Sequence, residues 1–176
     1  MTAGDTTTMT SERADLAEAL AKHRYFLRHT ARGLNDEQAV QRTTVSELTI
    51  AGLIKHVTAT ERQWARFIIE GPSALNAGWE DDDAVASYAD GFRMLPGETL
   101  DGLLRAYDDT ARQTTELIAA LPDLDAAQRL PEAPWFEAGA SWSARRVLLH
   151  ILAETSQHAG HADIIREALD GAKSMA

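Results

Sequence analysis

Three of the six histidines crowd into one short window, His150-Ile-Leu-Ala-Glu154-Thr-Ser-Gln-His158-Ala-Gly-His161. On a helix at 100° per residue, with His150 at zero, Glu154 falls at about 40°, His158 at about 80° and His161 at about 20°, so all four share one face. Val147 and Ile165, at about 60°, and Ile151, at about 100°, lie on that face too, so the polar groups point towards a core. A buried carboxylate without a partner is costly, and imidazoles beside it are a natural way to use a divalent cation.

Spacing limits which of these groups can share one ion. His150 and His158 are about 12 Å apart along the axis, whereas ligands at about 2.1 Å from zinc come from i,i+3 or i,i+4 pairs. The candidates are Glu154 with His158, or His158 with His161. A third ligand must come from another helix, and His56 lies about 60–90° from the centre of its own helix's apolar stripe, so it can lean inwards from the edge. Two ligands from one helix and one from a second would leave positions open for water or substrate, as in catalytic metal sites. Ferritin-like di-iron bundles need Glu-x-x-His from two helices and two further Glu, whereas here Glu-x3-His occurs once, so one metal is expected.

The elements that must position these residues are helical. All five prolines fall between four long stretches of helical periodicity, where they cannot break a helix interior. Helix one is expected from near Ser11 towards Gly33, and helix two from about Thr49 to Gly71–Pro72, with Ile50, Leu53, Ile54, Val57, Trp64 and Ile68 on one stripe. Helix three fits Leu100 to Leu121. Helix four follows a proline-rich loop (Pro131, Pro134, Trp135, Phe136) and a Ser141 cap, and ends at Gly171. A long connection between Gly71 and Gly97 carries Trp79, the acidic run Glu80–Asp83 and Phe92, with a short helix expected around Asp83 to Tyr88; connections of this length usually serve a site. The expected architecture is therefore all-α, a four-helix bundle with a long connection between helices two and three.

Composition narrows the function. The chain has 176 residues, which suits one domain over 11–176 behind a flexible tail at 1–10. With no cysteine there is no disulfide, no thiolate zinc site and no cysteine nucleophile, so His, Asp and Glu must hold any metal. Seventeen Lys and Arg against 27 Asp and Glu give a net charge of −10, which repels a phosphate backbone and argues against a nucleic-acid partner. No apolar run approaches the roughly 20 residues of a membrane span, and Met1 to Thr10 lacks the basic and apolar regions of a signal peptide, so a cytoplasmic protein is expected.

The segment from Leu53 to Trp64, with His56 and Glu61, and the segment from Trp142 through His150, Glu154, His158 and His161 to Arg166, resemble the DinB/YfiT-like superfamily. More narrowly they resemble its actinobacterial mini-circle-protein branch, related to the mycothiol-dependent maleylpyruvate isomerases, over nearly the whole chain after the tail. The resemblance implies a four-helix bundle holding one divalent metal, zinc or nickel, on one helix-two histidine and a His-x3-His pair of helix four. The first ligand maps onto His56 and the last onto His158. The first member of the pair maps onto Glu154, a departure from the commonest pattern that the maleylpyruvate isomerase relatives share, with His161 as the substitute ligand. It further implies a transferase or isomerase acting on a small-molecule substrate with a low-molecular-weight thiol cosubstrate such as mycothiol, and a homodimer. The alternative is a non-catalytic metal- or small-ligand-binding module of a stress response.

His150 reads as a group behind the ligands, and Glu61 or Asp163 as carboxylates that could take a ligand's second N–H. His23 and His29 read as ordinary residues of helix one. The four tryptophans read as core and loop anchors. Arg145, Arg146 and Arg166 read as surface ion-pair partners that could instead meet a substrate carboxylate.

Overall fold

The computed structural model describes residues 10–75 and 88–174. Four long helices dominate: α1 (Ser11–Thr30), α3 (Ile50–Glu70), α4 (Leu100–Ala120) and α5 (Ala144–Asp170), with a short α2 (Asp36–Ala39) and a 3-10 turn (Gly71–Leu75). Strands β1 (Ala127–Arg129) and β2 (Ser141–Ser143) pair antiparallel, with Gln128 opposite Trp142. The ribbon corrects a purely α reading, and it moves the last helix start: Ser141 lies in β2, and Ser143 caps α5 by accepting from the Arg146 N–H at 3.2 Å. Threonines do the same at α3 and α4, Thr49 accepting from Gly52 N and Thr99 from Gly102 N, each at 3.1 Å. The α5 helix ends at Gly171, whose φ of 81° is the left-handed cap that favours glycine.

The short α2 had no counterpart among the expected helices. Asn35 and Gln38 close a reciprocal capping box around it, a signature that fits a one-turn helix as well as a long one. Of the expected helix at Asp83 to Tyr88, only Tyr88 is among the described residues, and residues 88–90 are helical. Trp79 and the acidic run Glu80–Asp83 lie outside them, as does the tail before Thr10.

The apolar interior is divided. One cluster joins Leu20, Trp64, Phe67, Ile118, Val147, Leu148 and Ile151 with Leu124 and Leu130 from the ribbon end. The other joins Leu27, Ile50, Leu53, Ile54, Val57, Leu103, Tyr107, Ala159, Ala162 and Ile165. Between them lies a buried polar layer with members from every long helix: Arg24, Thr58, Glu61, Thr110, Thr114 and Thr155. The threonine hydroxyls of this layer return to their own helices, as Thr58 does to the Ile54 carbonyl and Thr155 to that of Ile151. No helix among the described residues is long and apolar enough to cross a membrane.

Candidate metal centre

Two residues one turn apart on α5 meet one residue of α3 at the level where the two apolar clusters part. Glu154 Oε2 stands 3.5 Å from His158 Nε2 and 4.0 Å from His56 Nε2. One ligand atom from each of His56, Glu154 and His158 lies within 4.8 Å of the other two. Metal–ligand bonds of about 2.1 Å in a tetrahedral arrangement put ligand atoms about 3.4 Å apart, so three donors that already lie within 4.8 Å of one another can close on one ion by side-chain rotation. Two imidazoles and one carboxylate also form a donor set suited to a borderline divalent ion.

The charge states favour that use. Burial, reinforced by the neighbouring His158, pushes His56 down to about 4 against the pull of Glu154, so the ring is neutral with a lone pair to give. The facing His158 ring holds the Glu154 carboxyl below the ordinary carboxylate range, against the opposing effect of burial. Burial lowers His150 as well, with Glu154 opposing.

Aromatic groups fix the rings. Phe92 lies flat on His56, centroids 3.9 Å apart at 18°, while Trp64 and Trp142 stack on each other at 4.9 Å and both meet the His150 ring edge-on. His150 Nε2 faces the second oxygen of Glu154 at 3.9 Å, behind the three-donor group. His161 is close to the cluster but faces away from its centre, its Nδ1 lying 3.3 Å from Nδ1 of His158.

The carboxylates expected behind the ligands are engaged elsewhere. Glu61 is 1% exposed and is gripped by Arg24 through two guanidinium nitrogens, with Arg24 Nη1 also donating to Thr115 at 3.2 Å. Asp163 accepts from the Ser174 N–H at 2.6 Å. Arg145 pairs with Glu12 and Asp125, and Arg166 with Asp170 and two carbonyls at the end of α1, whereas Arg146 stacks over Trp142 at 4.1 Å. His23 and His29 stay on α1, in ring contact with Phe26 and Tyr25 respectively.

Phe92 is the site residue that the expected ligand set does not include. Its strand of chain is strapped to α3: Lys55 Nζ donates to the Arg93 carbonyl at 3.1 Å and to Glu98 at 2.8 Å, and Glu98 also accepts from Leu95 N at 2.7 Å. Gly52 makes the close approach possible, because a methyl group there would overlap the Phe92 carbonyl oxygen. The available signal was this glycine, one turn before His56 inside the strongest apolar stripe of the chain.

Residues 15–171 match the family model for mycothiol S-transferases. The chain belongs to that family. No curated protein matches it. For a mycothiol S-transferase family member, the DinB/YfiT-like resemblance of the two histidine-bearing segments is thereby accounted for, and a small thiol is the substrate class the family name implies.

Proposed function

We propose that this protein transfers the thiol of mycothiol to an electrophilic small molecule, with His56, Glu154 and His158 holding one divalent cation, zinc or nickel. The reading rests on a single observation: two histidines and one carboxylate from two helices converge on one point in a member of the mycothiol S-transferase family. The four long helices are read as the four-helix bundle of that kind, and the cytoplasm as the compartment where a thiol cosubstrate stays reduced.

When bound, the cation would supply the Lewis acidity that favours a thiolate at neutral pH. The chain has no cysteine, so the sulfur nucleophile must come from the cosubstrate. Glu154 brings one negative charge to the site and directs Oε2 at both ligand histidines. His150 steadies the other oxygen of that carboxylate, with its own ring held by Trp64 and Trp142. Phe92 covers one face of His56 and keeps water from it. Glu61 has no part in this reading, being neutralised by Arg24.

The test begins with protein purified without chelators. Close to one equivalent of metal is expected, with loss in His56→Ala and His158→Ala and retention of most of it in His150→Ala. The loaded protein is then incubated with mycothiol and a panel of electrophiles, and the thioether is measured by mass spectrometry. Absence of stoichiometric metal overturns the site, and turnover equal to that of the stripped protein overturns its catalytic use. Tight ligand retention without turnover favours the non-catalytic module instead.

A further inference from the structure

We infer that His161 is a positioning residue, which accepts the Nδ1 proton of His158 and so turns the other nitrogen of that ring, Nε2, towards Glu154 and His56. The inference rests on the reading of His158 as a ligand and assigns His161 a place that no ligand set includes.

A neutral imidazole has one N–H and one lone pair, and its two nitrogens point in widely diverging directions. Nε2 of His158 faces Glu154 Oε2 at 3.5 Å, and Nδ1 faces Nδ1 of His161 at 3.3 Å. If Nε2 gives its lone pair to a cation, the ring proton must sit on Nδ1, where it needs an acceptor. The partner that Nδ1 of His158 meets is Nδ1 of His161, whose ring can offer a lone pair. The i,i+3 spacing on α5 supplies it by laying the two rings side by side, centroids 5.4 Å apart and tilted by 59°.

The same contact argues against His161 as the third ligand. Among the described residues, the group whose ligand atoms lie within 4.8 Å of one another is His56, Glu154 and His158, and His161 is not in it. Its Nδ1 is committed on the side of His158 that points away from Glu154. A histidine acceptor also differs in charge from the carboxylate that often stands behind a ligating imidazole. It fixes the ring without adding a second negative charge, so the donor set keeps the single charge of Glu154.

The experiment compares the full-length parent, His161→Ala, His161→Gln and His158→Ala by competitive zinc titration, alongside thermal melting of each stripped protein. His161→Ala is expected to weaken zinc binding by about 10–100-fold without moving the melting of the stripped protein. His161→Gln, whose amide oxygen can accept the same proton, should recover most of the loss. Nitrogen NMR of the zinc-loaded parent should show a through-hydrogen-bond coupling between Nδ1 of His158 and Nδ1 of His161. Loss of binding in His161→Ala as complete as in His158→Ala would make His161 a ligand and overturn the inference. Parent-like affinity in His161→Ala, or an Nε2–H tautomer of His158 in the loaded protein, would overturn it too. If His158→Ala binds zinc like the parent, the ligand reading itself fails, a result separable from every outcome at His161.

Discussion

Arg24 with Glu61, and Glu154 with its histidines, occupy the same level of the molecule, between the two apolar clusters. Their wiring differs. Arg24 and Glu61 are 7% and 1% exposed, oppositely charged and joined by two hydrogen bonds, so the charges neutralise one another where they lie. Glu154 has no Arg or Lys partner among the described residues; it faces three imidazoles at 3.5–4.0 Å, beyond ordinary hydrogen-bond length. A buried pair satisfied by its own members is complete as a structural device. A carboxylate surrounded by imidazoles at those separations has room and electron pairs for one more positive charge. Glu61, which by sequence could stand behind the second cluster, is held by Arg24 in the first.

The largest expected effect breaks the closed pair. Arg24→Met leaves Glu61 as a buried, unpaired carboxylate and should cost about 3–5 kcal/mol in urea unfolding, while Arg24→Met combined with Glu61→Leu should recover most of it. Metal content should survive in the double variant, because neither residue faces the histidines. The converse change comes next: His56→Ala should lower metal affinity by more than the roughly 10–100-fold typical of groups behind a ligand, yet shift unfolding of the stripped protein by about 1 kcal/mol or less. If the double Arg24/Glu61 variant also empties the site, or if His56→Ala unfolds the stripped protein, the division between the two clusters does not hold.

Gly52→Ala sharpens it further. Helix propensity alone would favour alanine by about 1 kcal/mol, but the added methyl meets the Phe92 carbonyl, and overpacking of this kind costs about 1–3 kcal/mol. The expected outcome is a net loss of stability together with weaker metal binding, since Phe92 no longer covers His56; unchanged binding by calorimetry would detach the strap from the site.

A smaller effect concerns pH. The unfolded chain takes up the His56 proton near its ordinary value of 6.5, whereas the folded one does so only at about 4. The stripped protein should therefore lose stability as pH falls from 6.5 towards 4, with that loss reduced in His56→Ala. The smallest change is Tyr107→Phe. The Tyr107 hydroxyl is buried and has no hydrogen-bond partner among the described residues, so its removal should leave stability within about 1 kcal/mol or raise it, as read by the melting temperature.

Much of the fold was legible because it is local. Proline positions and the 3.6-residue period place all four long helices within a few residues of their observed ends, and the Thr49 start needs only a side-chain oxygen three residues before Gly52 N. The β1–β2 ribbon was not legible: its strands are three residues each, too short for an alternating pattern, and their pairing is made between two separate pieces of the chain that joins α4 to α5. On α5 the face shared by His150, Glu154, His158 and His161 followed from spacing, but their separate places did not. Spacing left Glu154 and His161 as equal partners for His158, since i,i+3 and i,i+4 are both neighbours on a helix.

What the sequence determined by itself is therefore the set of chemically able groups and the helices that carry them, because helical period, caps and breakers act over a few residues. The absence of cysteine belongs here too, since it obliges any thiol to arrive from outside. Only the tertiary structure decided which groups meet. Whether His56 reaches Glu154, whether Arg24 takes Glu61 and whether Phe92 closes over His56 depend on how α1, α3, α5 and the strap before α4 pack. Those contacts join residues 36 to 98 positions apart along the chain, a separation at which no local pattern carries information.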